Sequence, residues 1–323
     1  MNRNEQLALL KMYAPSSKRK GIWREGVLQI WVTRACDRAC SHCTQNSQFS
    51  GKAERISVQH FEQALQSIEG YFGVVGMFGG NPAIHPEFYN LCKLMEQYVP
   101  FEQRGIWCNH PLGKGSIMRG VFNPAVSNLN VHQSEEAHKE FAREWPESIP
   151  YLKGLENDSR HSPPLTAMSD LIPDDNERWK LISNCDINRY WSSIICVVRG
   201  ELRAYFCEIA GAQAMLHQYN QNWAGTGKPM PDTGLKVEPG WWKRSMVDFA
   251  EQVRTHCHHC GIPLKGYGQL ANSGTMEQVT AFHKDVVAMK TSAKREVRVV
   301  ENLIQLGDQT LPKATDYLEN GTL

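Results

Sequence analysis

Ten cysteines constrain this 323-residue chain more than any other feature. Eight of them fall into two groups. Cys36, Cys40 and Cys43 share one short stretch at C-x3-C-x2-C spacing. Cys185, Cys196 and Cys207 are followed much later by the pair Cys257 and Cys260. The first twenty residues hold only a short, interrupted apolar stretch and no small-residue cleavage site, so no signal peptide is expected. No run of about 18 apolar residues exists, so no membrane-spanning helix is expected either. The expectation is a cytoplasmic protein with reduced thiols, in which grouped cysteines serve as metal ligands rather than disulfides. Lys and Arg total 35 against 34 Asp and Glu. A balance this even argues against a dedicated polyanion binder, because affinity for DNA or RNA backbone comes from excess basic charge.

The chemistry of the two groups differs. Three thiolates on one loop leave a four-iron cluster with one iron that lacks a protein ligand and is free to chelate a small molecule. Four cysteines make a closed site suited to structure or electron transfer. A three-cysteine zinc site completed by a distant fourth ligand is the rival reading of the first group. Cys92 and Cys108 fall within a helix and a strand respectively and read as buried core thiols.

The periodicities place these groups on an α/β chain. Residues 27–34 are apolar and β-branched, as a buried strand requires, and lead directly into the first cysteines. Further strands are expected at 74–78, 105–108, 129–132 and 165–168. Helices are expected at 57–70, 86–97, 134–145 and 174–183. Strands alternating with helices imply a parallel sheet with crossover helices. Residues 193–198 and 201–206, around Arg199-Gly200, read as a β-hairpin. Helices at 209–218, 245–255 and 275–291 and an aperiodic, lid-like stretch at 220–242 complete the pattern. The organisation expected is an extension at 1–24, a core at 25–184, a cysteine-bearing subdomain at 185–275, and a helix and tail at 276–323.

The three-cysteine loop after a strand, followed about 35 residues later by Phe78-Gly79-Gly80-Asn81-Pro82, resembles the radical S-adenosylmethionine (radical SAM) superfamily. The resemblance implies a partial (β/α)6 TIM-like barrel. It implies a [4Fe–4S] cluster on Cys36, Cys40 and Cys43 that chelates S-adenosylmethionine. Gly79, Gly80 and Asn81 would line its amino group, with Asn81 standing where the family has Glu. His42 would fill the place of the aromatic residue usual before the third cysteine. Gln133 and Ser134 would follow the fourth strand near ribose or carboxylate, although Ser134 reads equally well as a helix N-cap. Asn109 and Asp170 close other strands on the same face and read as turn or cap residues. The activity implied is reductive cleavage of S-adenosylmethionine to a 5′-deoxyadenosyl radical that abstracts hydrogen from a substrate carbon. The electron would come from a flavodoxin- or ferredoxin-type donor.

The second group is similar to the twitch subdomain of some members, a shortened SPASM-type domain. Cys185 would precede the hairpin and Cys207 follow it, with Cys257 and Cys260 completing a second, auxiliary [4Fe–4S] cluster. Cys196 competes with Cys185 for the first place, and a structural zinc with the cluster. The outcome would be oxidation or rearrangement of a small biosynthetic substrate, so either an oxidoreductase or an isomerase. A nucleoside or modified base in DNA is an alternative, with Trp223, Trp241 and Trp242 beside Lys243 and Arg244 as a stacking surface; packing is the simpler use of those rings. A peptide-modifying enzyme and a non-catalytic iron–sulfur or zinc scaffold are the remaining alternatives.

Overall fold

The computed structural model describes residues 26–49, 54–131, 134–148, 160–185, 193–264, 270–271, 276–288 and 296–306. In chain order the regular elements are β1 (Val27–Thr33), α1 (Val58–Ser67), β2 (Val74–Gly79), α2 (Phe88–Tyr98), β3 (Arg104–Ile106), α3 (Gly115–Val121), α4 (Glu135–Glu144), β4 (Arg160–His161), α5 (Met168–Leu171) and α6 (Asp175–Ser183). They continue with β5 (Ser193–Val198), β6 (Glu201–Tyr205), α7 (Glu208–His217), β7 (Leu235–Lys236), α8 (Ala250–His256), β8 (Leu270–Ala271), β9 (Met276–Val279), α9 (Ala281–Ala288) and β10 (Glu296–Val299).

One six-stranded sheet organises the chain, in the order β3-β2-β1-β5-β6-β7. β1 pairs in parallel with β2 and with β5, and β2 in parallel with β3. β1 is mostly apolar because it lies mid-sheet, and six of its seven residues are buried, Gln29 and Thr33 among them. Ser57 caps α1 by accepting the His60 N–H at 3.0 Å. That helix buries Phe61, Ala64 and Leu65, and α2 buries Phe88, Leu91, Cys92 and Met95.

The hairpin forms as the sequence implies. β5 and β6 pair antiparallel from Ile194–Tyr205 to Val198–Glu201. Arg199 (φ 53°) and Gly200 (φ 84°) make the two-residue turn, both left-handed. Arg199 is held in this unfavourable region by its own contacts. Its N–H donates to Gln218 Oε1 at 2.8 Å and its guanidinium to the Gln218 and Met230 carbonyls. One apolar core runs from Leu28 and Met77 through Ile195 and Tyr205 to Phe249 and Val253, without a break at the hairpin.

Several expectations change. Among the described residues the parallel part of the sheet has four strands rather than the six of a complete partial barrel. Residues 129–131 form no strand longer than a single bridge, a parallel bridge beside them joins Trp107 to Asn128, and His132 lies outside the described residues. Residues 165–168 form a turn instead, because Thr166 folds its hydroxyl back on the Pro163 carbonyl at 2.7 Å and Met168 opens α5. The helix expected at 275–291 is a strand followed by a shorter helix. β9 pairs in parallel with β10, and tertiary pairing overrides its polar, helix-favouring sequence. The aperiodic stretch at 220–242 is anchored through Trp223, Met230, Val237, Trp241 and Trp242, all buried, while most of its other residues are exposed.

Candidate cofactor site at the strand ends

The first cysteine group lies where β1 leaves the sheet. The base of its loop is closed by local pairing. Arg34 N–H donates to Glu54 O at 2.9 Å, and Ile56 N–H to Val32 O at 2.9 Å. The buried Arg34 guanidinium donates to the Glu54 carboxylate and to the Asn46 carbonyl. His42 (φ 55°) and Asn46 (φ 52°) are both left-handed, so the chain reverses sharply on either side of Cys43. Cys36, Cys40 and Cys43 are partly exposed. Burial pushes the Cys36 thiol up against a lowering hydrogen bond from the Arg38 backbone, and the nearby Cys43, Asp37 and Cys40 raise it further. Burial raises Cys43 as well, against backbone N–H donors from Ser47 and Gln45.

The glycine segment is fitted against this corner. Gly80 N–H donates to Thr33 O at 2.7 Å and Asn81 N–H to Ala35 O at 2.8 Å. A Cβ on Gly80 would lie 2.2 Å from Ala35 O, and one on Gly79 (φ 150°) 2.3 Å from Thr33 O. Only glycines allow the two backbones this close.

Asp37, inside the cysteine loop, is the centre of a polar network. Asn81 Nδ2 donates to its Oδ1 at 2.8 Å, and Asn109 Nδ2 donates to Oδ1 and Oδ2 at 2.9 and 3.0 Å. His110 Nδ1 stands 3.6 Å from Oδ2, and His110 Nε2 lies 3.0 Å from Glu140 of α4. Asn109 also accepts from the Cys36 thiol at 3.7 Å. Asn81 is fully buried, and its amide is fully used. Beyond Asp37 it donates to the His110 carbonyl, and its Oδ1 accepts from Ala83 N–H and the Cys108 thiol. Its side chain therefore ties the corner together, and only its backbone is left to line a ligand's amino group.

His42 is buried with its imidazole turned to the C-terminal strand: Nε2 accepts the Gln278 N–H at 3.3 Å. Its own N–H donates to both oxygens of the buried Glu277 at 3.0 and 3.2 Å. Glu277 is a site residue that sequence reasoning missed, since nothing local links it to a loop 235 residues away. Ser134 caps α4 through the Ala137 N–H at 3.2 Å. Asp170 accepts the Phe282 N–H at 2.8 Å, capping the start of α9 from outside. Gln133 lies outside the described residues. Burial pushes the Cys92 and Cys108 thiols up to about 12, as for protonated core thiols.

The second group converges too. Cys185, Cys207, Cys257 and Cys260 line one cavity of about 30 Å³ with Ile182, Phe206 and His256. Burial first, then the neighbouring Cys185 and Cys207, hold the Cys260 thiol well above its ordinary value. Cys196 lies elsewhere, buried against Gly211 on the hairpin's helix-covered face. The nearby histidines are partnered. His258 accepts from Arg178, His259 bonds Ser169 and stacks on Phe282 at 3.7 Å, and His256 bonds Thr233. Trp241 is held by Ser67, and Trp242 lies edge-on to Tyr71 at 5.4 Å, so neither ring offers a stacking surface.

Among the described residues no three His, Cys, Asp or Glu side chains are drawn together tightly enough for a single metal ion. A four-iron cluster makes a different demand, since each thiolate binds its own iron. The first corner fits that demand by its donor set and its glycine cradle. It also fits by what it leaves unpaired. Both amide atoms of buried Gln45 and of buried Asn46, and the Arg38 Nε, find no hydrogen-bond partner among the described residues. Buried polar groups are nearly always satisfied, so these point to a bound group.

No family model matches the chain, and no curated protein matches it. Among solved structures it is similar to "BtrN in complex with AdoMet and 2-DOIA", at 12% identity and a TM-score of 0.42, over 73% of this chain and 88% of that one. It is also similar to BtrN in an open conformation, at 13% identity and a TM-score of 0.37, over 73% and 87% of the two chains. Likeness at this level does not identify the chain.

Proposed function

We propose that this chain is a radical SAM enzyme. The observation that carries the reading is the seating of the Gly79-Gly80-Asn81 turn on the root of the three-cysteine loop. Two motifs about 35 residues apart thereby share one corner at the ends of parallel strands, where open α/β sheets bind ligands. Cys36, Cys40 and Cys43 would hold a [4Fe–4S] cluster. Bound there with S-adenosylmethionine, it supplies single-electron cleavage of a carbon–sulfur bond and, through it, removal of a hydrogen atom from an unactivated substrate carbon. The protein's part is placement. Arg34 and Glu54 close the loop, Glu277 holds its third turn, and the glycine backbones leave room for the cofactor's amino-acid end.

Cys185, Cys207, Cys257 and Cys260 would hold an auxiliary [4Fe–4S] cluster. A closed four-cysteine site carries electrons and does not bind substrate. The cavity that joins these four and leaves out Cys196 supports Cys185 as the first ligand. The substrate favoured is a small biosynthetic molecule, undergoing oxidation or rearrangement. The nucleobase alternative loses the support of its tryptophans, which are buried in packing.

Anaerobic reconstitution with iron and sulfide, then incubation with S-adenosylmethionine and dithionite, tests both parts. The expected results are 5′-deoxyadenosine above a Cys36→Ala control, and iron falling from about eight to about four per chain in a Cys257→Ala/Cys260→Ala variant. Zinc in place of iron at residues 36–43 would sink the reading.

A further inference from the structure

We propose that the Nδ1–H of His256 donates a hydrogen bond to a sulfur of the auxiliary cluster and thereby holds up that cluster's reduction potential. The assignment rests on the reading of Cys185, Cys207, Cys257 and Cys260 as ligands of a second [4Fe–4S] cluster. His256 is the last residue of α8 and precedes Cys257 directly. It lines the same cavity as the four cysteines. Its imidazole is buried, and Nδ1 has no hydrogen-bond partner among the described residues. Buried polar groups are nearly always satisfied, so this nitrogen calls for a partner inside the cavity.

The ring is fixed through its other nitrogen. Nε2 lies 3.1 Å from the hydroxyl of Thr233, which is not part of the cavity wall. Thr233 is itself held by Gln252, one turn earlier on α8. The Gln252 amide donates to the Thr233 and Ala204 carbonyls at 3.0 and 2.9 Å and accepts the Phe206 N–H at 2.9 Å. Tyr205 and Trp223 meet the imidazole edge-on at 5.7 and 6.2 Å. With Nε2 so occupied, Nδ1 is the polar atom the ring has left. Which nitrogen of a neutral imidazole carries the proton is set by what the two nitrogens meet. A hydroxyl both donates and accepts, so Thr233 admits either tautomer, whereas thiolate and sulfide sulfurs only accept. The sulfurs therefore select the tautomer with hydrogen on Nδ1.

Among the described residues of the wall no other side chain fills this part. Besides His256 and the cysteines, the one polar side chain is that of Gln213. Its amide nitrogen is turned to the His259 carbonyl at 3.0 Å, and the atom it leaves unpaired is Oε1, an acceptor. The rings of His258 and His259 are turned to Arg178 and Ser169 and line no part of the cavity. The rest of the wall is apolar, and a hydrogen bond in such surroundings is stronger than in water. A donor at sulfur favours the reduced cluster, because it offsets the added negative charge.

The test is a redox titration of the anaerobically reconstituted full chain, followed by electron paramagnetic resonance. The auxiliary signal is the one that the Cys257→Ala/Cys260→Ala variant lacks. His256→Gln keeps a group able to reach Thr233 and removes the donor at the Nδ1 position, while His256→Asn puts an amide N–H back there. In His256→Gln the oxidised-to-reduced ratio at a fixed potential is expected to rise about tenfold, the scale of one hydrogen bond and equal to about 59 mV for a one-electron couple. In His256→Asn it is expected to stay near the wild-type value. A wild-type potential in His256→Gln overturns the assignment, and so does an equal shift in both variants, which marks a merely structural role. A second measurement needs no substitution of His256. With ¹⁵N-labelled histidine, the reduced auxiliary cluster is expected to show a weak nitrogen coupling, carried through the hydrogen bond. No coupling overturns the assignment, as does the strong coupling of a nitrogen bound to iron. A Cys257→Ala/Cys260→Ala variant that loses neither iron nor signal overturns the auxiliary-cluster reading and this assignment together.

Discussion

Gly80 has no room for a methyl group. A Cβ there meets the Ala35 carbonyl at 2.2 Å, and that carbonyl belongs to the backbone that starts the cysteine loop. Gly80→Ala is expected to cost about 1–3 kcal/mol, the range for overpacking a tight contact, and to lower iron retention after reconstitution. Gly120 provides the contrast, since a Cβ there meets nothing within 4 Å and the residue lies in α3. Gly120→Ala is expected to raise stability by about 0.5–1 kcal/mol in urea unfolding and leave iron content alone. The cysteines and glycines were readable from sequence because each motif is local and its chemistry follows from residue type. Asp37 was silent. Its partners lie 44 and 72 residues away, and nothing in its own neighbourhood sets it apart from a loop aspartate.

At the scale of elements, β9 matters most. Its sequence, Met276 to Val279, carries two polar residues and reads as part of a longer helix. Glu277 and Gln278 are nonetheless fully buried, and the reason is the partner they meet. Glu277 takes the His42 N–H and the Gln48 amide, and Gln278 donates its N–H to the His42 ring. Polar residues bury when distant chain supplies their hydrogen bonds, and a periodicity reading cannot see that supply. Glu277→Ala removes the acceptor of a buried N–H and is expected to cost about 1–3 kcal/mol. Glu277→Gln keeps an acceptor oxygen and should cost less. Urea midpoints of the two variants, with iron content after reconstitution, check the order; equal losses would show that β9 does not anchor the loop. Elements that declare themselves locally were legible: the capped α1, the hairpin with its Arg199-Gly200 turn, and β1. The expected strand at 165–168 failed, and 129–131 holds no more than isolated bridging, because short apolar runs do not say whether a neighbouring strand is there to pair with them.

Over the whole molecule, buried neutral histidines set the response to acid. His85 accepts the Glu87 N–H at Nδ1, so its Nε2 carries the proton donated to the Ile56 carbonyl. His283 donates from Nε2 to the His259 carbonyl and accepts at Nδ1 from His217. Burial lowers both pKa values, that of His283 to about 4. In the unfolded chain a histidine takes its proton near 6.5. Between roughly pH 6.5 and 4 the unfolded state therefore binds more protons, and stability falls as pH falls. The urea midpoint of metal-free protein is expected to drop across that window, and less steeply in His283→Gln. Identical slopes would refute the contribution of His283. The α/β class and the parallel core were legible at this scale from the alternation of elements. The closure of the sheet was not, because it depends on which strand ends up beside β1.

That neighbour is β5, the first strand of the hairpin. The residues between the cysteine groups thus do not bridge two separable bodies. A chain cut before the hairpin would leave Leu28, Gln29 and Ile30 with open backbone along one side, an edge prone to sticking to other chains. The two cysteine corners are consequently inherited as a unit: grafting the second onto another scaffold, or deleting it to make a minimal version, would dismantle the flank on which the first one stands.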